Sequence, residues 1–244
     1  MKTMTRNGRV ALVTGANKGI GREIARGLGQ RGFTVLASAR DRQRGAQTVA
    51  ELADDGLDVR FQQLDVTDEA SIDAAADQVA AEYGCLDVLV NNAAVANELE
   101  VPPSLTLLDD MRRVYETNVF GVVAMTNAML PLLRKSDAAR IVNVSSRLGS
   151  ISQQAASNSR LGLSMAYGSS KSALNAITVQ YARELADTQI KVNACTPGYV
   201  ATDLNGHKGT RTPAQGAKIA IELAMLASDG PTGGFFDEHG PVSW

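Results

Sequence analysis

The fold is decided by the stretch Arg9-Val-Ala-Leu-Val-Thr-Gly-Ala-Asn-Lys-Gly-Ile-Gly21, which joins a short apolar run to a glycine-rich turn. The apolar run suits a strand buried on both faces, and residues 22–30 continue with the apolar spacing of a helix. Glycines allow a phosphate to approach backbone N–H groups, and a helix N-terminus adds a partial positive charge. The pattern is G-x-x-x-G-x-G rather than G-x-G-x-x-G. Its place after the first strand predicts nucleotide binding by Gly15, Asn17, Lys18, Gly19, Ile20 and Gly21.

Strand-like and helix-like segments alternate along the rest of the chain. The further strands are predicted at 33–38, 59–64, 86–90, 140–146, 190–195 and 233–237. The further helices are predicted at 42–53, 69–83, 107–133 with a bend, 167–186 and 213–227. Such alternation is typical of a parallel sheet that binds ligands at the carboxyl ends of its strands. We therefore predict a single α/β domain over residues 1–244: a Rossmann-type, doubly wound sheet of about seven parallel strands in the order 3-2-1-4-5-6-7, with helices on both faces.

Composition excludes several classes of function. The chain has 244 residues, 44% of them apolar and 20% charged, and a net charge of −2, so nothing indicates a nucleic-acid partner. Cys85 and Cys195 lie in or beside apolar runs and are expected to be buried thiols, and no Cys/His cluster predicts a metal site. The first residues lack an apolar signal region, and no apolar run is long enough for a bilayer. We expect a soluble, cytoplasmic protein without a membrane partner.

The end of the predicted second strand indicates which dinucleotide is bound. An acidic residue near this strand end binds the ribose hydroxyls of NAD and repels a 2′-phosphate, but Ala39 occupies the nearest position. Arg40 follows it, Arg44 lies one helical turn further, and Lys18 is in the glycine turn, so three cations could converge on a phosphate. Asp41 is expected to be the N-cap of the next helix. The alternative is that these cations are plain surface charges.

A tyrosine and a lysine occur four residues apart in the stretch Tyr167-Gly-Ser-Ser-Lys171 and therefore share one face of a predicted helix. A free phenol has a pKa of about 10, and a nearby ammonium is expected to lower it. Ser146, at the end of the fifth strand, could stabilise the charge that develops on a carbonyl oxygen while Tyr167 donates a proton to it. The alternative is a solvated helix face. A serine hydrolase is not indicated, because no G-x-S-x-G is present and His207 and His239 lie in loop-like regions.

In combination these features resemble the short-chain dehydrogenase/reductase family over nearly the whole chain. The marks are Thr14-Gly-Ala-Asn-Lys-Gly-Ile-Gly21, Asp65-Val66, Asn91-Asn-Ala93, Asn118, Ser146, Tyr167-Gly-Ser-Ser-Lys171 and Pro197-Gly-Tyr-Val-Ala-Thr202. The resemblance implies that Ser146, Tyr167 and Lys171 are catalytic, and that Asn118 completes a tetrad by holding a water in a proton relay. It also implies that Asp65 contacts adenine, that Asn91 contacts the ribose region, and that Val200 and Thr202 contact the nicotinamide amide. The neighbouring motif residues Val66, Ala93, Pro197 and Gly198 are expected to line the cofactor site. Ala94 replaces the glycine usual in the family, which adds one methyl group near the cofactor.

Within this family, the chain resembles the carbonyl reductase group. The resemblance rests on Lys18, on the run from Ala39 to Arg44, on the run from Ser146 to Gly149, on the long separation between Ser146 and Tyr167, and on Trp244. It implies NADPH as cofactor and reduction of a ketone or aldehyde. An insertion before the tyrosine covers the oligomerisation surface in that group, so a monomer is slightly favoured over a homo-oligomer.

Two alternatives stay open at this point: an alcohol dehydrogenase that works in oxidation, and a cofactor-binding sensor or scaffold without turnover. The substrate walls are expected at about 95–106, 147–165 and 202–212. Their mixture of apolar and small polar residues indicates a moderately apolar carbonyl compound.

Overall fold

One sheet organises the computed structural model, which describes residues 8–96 and 101–244. The strand order is β3-β2-β1-β4-β5-β6-β7-β8. The strands are β1 (Val10–Val13), β2 (Thr34–Ala39), β3 (Val59–Gln63), β4 (Val88–Asn91), β5 (Arg140–Val144), β6 (Lys191–Cys195), β7 (Phe235–Asp237) and β8 (Gly240–Pro241). Strands β1 to β7 pair in parallel, as predicted. The predicted count of about seven is one too low, because the two-residue β8 turns back and pairs antiparallel with β7.

Helices cover both faces of the sheet, as predicted. They are α1 (Gly19–Gly29), α2 (Arg42–Asp54), α3 (Glu69–Tyr83), α4 (Leu108–Tyr115), α5 (Gly121–Leu133), α6 (Ile151–Ala155), α7 (Met165–Glu184) and α8 (Pro213–Ala224). Alternate residues of β1 point to opposite faces. Ala11 and Val13 join a core with α1, α2 and α8, whereas Val10 and Leu12 join a core with α3, α5 and α7. Burial on both faces explains why the strands read as continuous apolar runs.

Local capping explains several helix starts. The Asp41 carboxylate accepts a hydrogen bond of 3.0 Å from the Arg44 backbone N–H, which confirms Asp41 as the N-cap of α2. Helix α8 begins with Pro213 after Thr212, whose hydroxyl and the Gln215 side chain form a capping box. None of the helices within the described ranges combines the length and apolar character needed to cross a bilayer.

Two segments differ from the sequence prediction. The predicted helix 107–133 is interrupted by a π-helical turn, Glu116–Phe120, between α4 and α5. Such turns widen the helix and often occur at functional sites. The polar stretch after Ser146, predicted as loop, contains a 3₁₀ turn at Arg147–Gly149 and the short helix α6, which Ser150 caps. The 3₁₀ turn and α6 are too short to show a periodic apolar pattern in the sequence.

Candidate active site

The glycine-rich turn lies at the carboxyl ends of β1 and β2. Gly15 and Gly19 have φ values of +64° and +57°, which favour glycine. A Cβ on Gly21 would lie 2.4 Å from Asn92 Nδ2 and 2.5 Å from the Gly15 carbonyl oxygen, so no larger residue fits. The Thr48 hydroxyl donates a 2.8 Å hydrogen bond to the Asn17 carbonyl oxygen and thereby holds the turn against α2. The turn therefore has the narrow, rigid shape that lets backbone N–H groups face a phosphate.

Asn92 fastens this turn to the end of β4, a role that sequence reasoning missed. Its side-chain amide donates to the Thr14 and Gly15 carbonyl oxygens at 2.8 and 3.2 Å. The Thr14 hydroxyl in turn accepts from the Asn92 and Ala93 backbone N–H groups, each at 2.9 Å. The doubled asparagine after a buried strand was the available signal. It indicated a site but not which of the two side chains holds the turn.

Asn91 itself points into the protein. Its side-chain amide donates to Asn143 Oδ1 at 2.9 Å and to the Thr126 hydroxyl at 3.3 Å, and the residue is buried. Its carbonyl Oδ1 is buried and makes no hydrogen bond within the described ranges. A buried, unpaired acceptor is costly, so this oxygen has unused capacity to bind a donor.

The three cations predicted to bind a phosphate, Lys18, Arg40 and Arg44, have different surroundings in the structure. Lys18 Nζ pairs with the Asp203 carboxylate, which also lies 2.8 Å from His207 Nε2. This ion pair joins the glycine turn to the loop after β6, and it was not foreseen. Arg40 and Arg44 are both exposed near the start of α2, and Arg44 Nε lies 3.4 Å from Asp41 Oδ2.

The motif at the end of β3 forms a local turn. Asp65 Oδ1 accepts hydrogen bonds from the Thr67 N–H at 3.0 Å and from the Thr67 hydroxyl at 2.7 Å. Next to it, the Val66 carbonyl oxygen lies so close to Gly121 that a Cβ there would approach it to 2.6 Å. Both residues are half-buried at the edge of the sheet that also carries the glycine turn.

Three predicted catalytic residues come together at the end of β5. Ser146 caps the following 3₁₀ turn by accepting from the Leu148 N–H at 3.2 Å. Its side chain also lies close enough to Tyr167 to lower the pKa of the phenol. Tyr167 is 8% exposed and Lys171 is 2% exposed. Lys171 Nζ donates a 2.8 Å hydrogen bond to the Val144 carbonyl oxygen and lies 5.6 Å from the centre of the Tyr167 ring. The fold thus joins a serine and a tyrosine hydroxyl, with an amine on the next helical turn.

The protonation of this group contradicts one expectation. Burial raises the pKa of Tyr167 to about 12, and the neighbouring Ser146 side chain lowers it only in part. The expected acidification by Lys171 is therefore wrong for this structure: loss of solvent outweighs the ammonium, whose hydrogen bond goes to Val144 instead. Burial also lowers the pKa of Lys171 to about 8, whereas the nearby Cys195 thiol acts in the opposite direction. The pKa of the buried Cys195 thiol is itself raised to about 12.

Asn118 lies in the π-helical turn and is fully buried. Its side-chain oxygen accepts from the Val95 N–H at 2.9 Å, and its amide donates to the Val95 carbonyl oxygen at 2.9 Å and to the Ser170 hydroxyl at 3.0 Å. Asn118 therefore holds the start of the first expected substrate wall against α7. Residues 97–100 of that wall lie outside the described ranges.

The last motif, from Pro197 to Thr202, follows β6. Val200 and Arg211 form an isolated β-bridge, which brings the two ends of the loop between them close together. Gly198, just before this loop, has a φ of +77°. A Cβ on Gly19 would lie 3.4 Å from the Thr202 methyl group, which places Thr202 beside the glycine turn. The structure therefore brings the first and the last motif to the same edge of the sheet.

Among the described residues, no three His, Cys, Asp or Glu side chains are grouped so that they could hold a metal ion.

Comparison with known proteins identifies the family. The short chain dehydrogenase family model matches residues 9–212. The chain is 36% identical to carbonyl reductase [NADPH] 1 of Sus scrofa over 281 aligned positions, covering 99% of this chain and 96% of the relative. Carbonyl reductase from chicken fatty liver, solved with NADPH bound, superimposes with a TM-score of 0.85 at 31% identity, covering 98% and 100% of the two chains. Salutaridine reductase from Papaver somniferum superimposes with a TM-score of 0.83 at 31% identity, covering 94% and 99%. The chain belongs to the short-chain dehydrogenase/reductase family, and its resemblance to the carbonyl reductase group is confirmed.

Proposed function

We propose that this chain is an NADPH-dependent carbonyl reductase in which Tyr167 donates the proton that completes reduction of a ketone or aldehyde. As a family member that matches NADPH-named carbonyl reductases over nearly its whole length, it is an NADP-dependent short-chain oxidoreductase. The finer proposal, the reducing direction and the role of Tyr167, rests on one observation. Ser146 lies close enough to Tyr167 to lower the pKa of its phenol, and Lys171 Nζ lies 5.6 Å from the centre of the Tyr167 ring, at the sheet edge that also carries the glycine turn.

The residues at this edge fit a dinucleotide. A Cβ on Gly15 or Gly21 would clash with neighbouring protein atoms, so only glycine keeps this turn tight. Asn91 Oδ1 is a buried acceptor with unused capacity. We propose that the turn binds the diphosphate, that Arg40 and Arg44 bind the 2′-phosphate, and that Asp65, Asn91, Val200 and Thr202 line the remainder. When bound, the nicotinamide supplies the hydride that reaches the carbonyl carbon.

The protein supplies the proton and holds the developing charge. At neutral pH a phenol with a pKa of about 12 is protonated, so Tyr167 carries the proton that reduction requires. Its proton passes to the carbonyl oxygen as the hydride reaches the carbon, and the O–H bond of Tyr167 breaks as that of the product alcohol forms. Ser146 donates a hydrogen bond to the same oxygen. Lys171 is charged below its pKa of about 8 and stabilises the phenolate left behind.

The protonated Tyr167, together with the match to relatives named carbonyl reductase, supports reduction over the alternative of an oxidising dehydrogenase. Oxidation would need Tyr167 to begin as a phenolate base, which burial disfavours at neutral pH. Exposed apolar side chains in the expected substrate walls support a moderately apolar carbonyl compound; these are Leu105, Ile151, Leu163 and Leu204. The single-domain organisation and the slight preference for a monomer stay predictions.

The proposal is tested by following NADPH absorbance with a panel of apolar ketones and aldehydes, and by running NADP with the matching alcohols at the same pH. We expect faster turnover in reduction. In Tyr167→Phe we expect kcat to fall at least about 10³-fold because the proton donor is lost, with NADPH affinity, measured by fluorescence, little changed. Tyr181→Phe is the matched control, since Tyr181 lies on the same helix and its hydroxyl donates to Asn127 instead.

Three outcomes would contradict the proposal. Full activity in Tyr167→Phe would remove Tyr167 from the mechanism. Faster oxidation than reduction at neutral pH would favour the dehydrogenase. Tight NADPH binding with no turnover of any panel member would favour the sensor or scaffold.

A further inference from the structure

The segment that follows Ser146, residues 147–155, lies directly against the helix that carries Tyr167 and Lys171. A Cβ on Gly149 would lie 2.6 Å from the backbone carbonyl carbon of Lys171. The segment and helix α7 are therefore in direct backbone contact at this glycine. The Gly149 carbonyl oxygen accepts a 3.1 Å hydrogen bond from Asn175 Nδ2 on the same helix. Any shift of this segment therefore moves Ser146 relative to Tyr167 and Lys171.

The other side of this segment is held by the residues that follow β8. The Ser150 hydroxyl donates to the Ser243 carbonyl oxygen at 2.7 Å. The Ser152 backbone N–H and hydroxyl both donate to the Trp244 backbone oxygen, at 2.9 and 2.6 Å. Ser150 is fully buried, so its bond is shielded from water.

These residues are themselves anchored to the sheet. The Trp244 ring stacks on the Phe235 ring, with centroids 5.5 Å apart and planes inclined by 14°. The Val242 N–H donates to the Phe235 carbonyl oxygen at 2.7 Å. At the near end of the segment, Arg147 forms an ion pair with the Asp237 carboxylate, whose side chain is 11% exposed. The β7–β8 hairpin and residues 242–244 thus hold the segment at Arg147, Ser150 and Ser152.

We propose that this hairpin, with Ser243 and Trp244, is a positioning clamp for the catalytic group. The clamp touches no reacting atom; it acts through Ser146 and through the backbone of Lys171. Rates of proton and hydride transfer depend steeply on sub-ångström placement, so a loosened clamp lowers the rate without removing a reacting group. The inference rests on the proposed function.

Trp244→Ala tests the clamp because it removes the ring contact with Phe235 that anchors the backbone oxygen to which Ser152 donates. We expect kcat for ketone reduction to fall about tenfold or more. The KM for NADPH should change less than twofold, because Trp244 makes none of the hydrogen bonds that hold the glycine turn. Trp244→Phe keeps a ring on Phe235 and should restore most of kcat. Met225→Ala is the matched control: Met225 is 38% exposed and Trp244 is 37% exposed, but Met225 lies at the end of α8.

A second variant keeps the test decisive if Trp244→Ala folds poorly. Ser152→Ala removes only the hydroxyl bond at the same oxygen and should lower kcat by a smaller factor in the same direction. If the two residues act as one unit, the double variant loses no more than the Trp244 variant alone. Hydrogen exchange supplies a readout independent of activity: amides of residues 147–155 should exchange faster in Trp244→Ala, and those of the glycine turn should not.

The clamp is overturned if the wild type reduces ketones but both variants keep the wild-type kcat. It is also overturned if exchange at residues 147–155 is unchanged, or if KM for NADPH rises as much as kcat falls. A wild type that reduces no carbonyl compound would instead overturn the proposed function. The two failures are therefore distinguishable.

Discussion

The two sides of the proposed active site are built from different kinds of chemical group. The nucleotide side, at the ends of β1 and β2, consists of a backbone turn without room for side chains and of exposed cations such as Arg40 and Arg44. The catalytic side, at the end of β5, consists of buried side chains; Tyr167 and Lys171 are almost without solvent contact. Interactions of exposed charges are screened by solvent and salt, so losing one of them has a limited effect. Buried polar groups depend on the hydrogen bonds that their neighbours supply, so losing one neighbour has a large effect.

This difference predicts how each side responds to change. Substitutions of exposed cations should shift cofactor preference by graded amounts. Changes in the turn or in the buried group should act sharply, because neither can relax without moving backbone or uncovering a buried polar atom.

Among the three substitutions that test this comparison, Gly21→Ala is expected to have the largest effect. The new Cβ would lie 2.4 Å from Asn92 Nδ2 and 2.5 Å from the Gly15 carbonyl oxygen, so the turn must open. We expect NADPH affinity to fall by at least about 100-fold, or about 2.7 kcal/mol, and the melting temperature to fall as well. Fluorescence titration and thermal unfolding measure both. Gly29→Ala, at the other end of the same helix, is the control, because its nearest contact would be 3.3 Å. Similar affinities for both variants would show that the turn is not a tight cradle.

An intermediate effect is expected from Lys171→Met, measured as stability against pH. Between about pH 8 and 10.5 the folded protein has released the Lys171 proton whereas the unfolded chain still holds it, so rising pH favours folding. The wild type should therefore gain about 2 kcal/mol of unfolding free energy, relative to Lys171→Met, between pH 7 and 9.5. Urea denaturation at several pH values gives these differences.

The control for this measurement is Lys135→Met, since Lys135 is exposed at the end of α5. It should follow the wild type across the same pH range. A difference between wild type and Lys171→Met that stays constant with pH would contradict the lowered pKa of Lys171.

The smallest of the three effects is expected from Arg40→Asp. A carboxylate near the end of β2 would repel a 2′-phosphate and could accept ribose hydroxyls. We expect the ratio of kcat/KM for NADPH to that for NADH to fall by about tenfold or more, or about 1.4 kcal/mol. Arg134→Asp is the control, because Arg134 follows α5 at the opposite edge of the sheet. An unchanged ratio, or equal use of both cofactors by the wild type, would leave Arg40 as a plain surface charge.

Much of the architecture could be predicted because its signals are local and repeated. The order of the seven parallel strands follows from the alternation of apolar runs and amphipathic helices, and it is confirmed. The grouping of Ser146, Tyr167 and Lys171 follows from strand ends that share one edge. By contrast, β8 and α6 contain only two and five residues, too few for a periodic pattern. The role of Asn92 depends on which of two adjacent amides faces the glycine turn.

The amino-acid sequence by itself determined the doubly wound sheet, the position of the glycine turn and the family to which the chain belongs. These depend on apolar spacing and on residue types that only one backbone conformation accepts. Only the tertiary structure decided that burial raises the pKa of Tyr167, that Lys18 pairs with Asp203, and that Trp244 lies against the segment after Ser146. The physical reason is that desolvation and long-range contacts depend on which distant atoms exclude water, and neighbours along the chain do not specify those atoms.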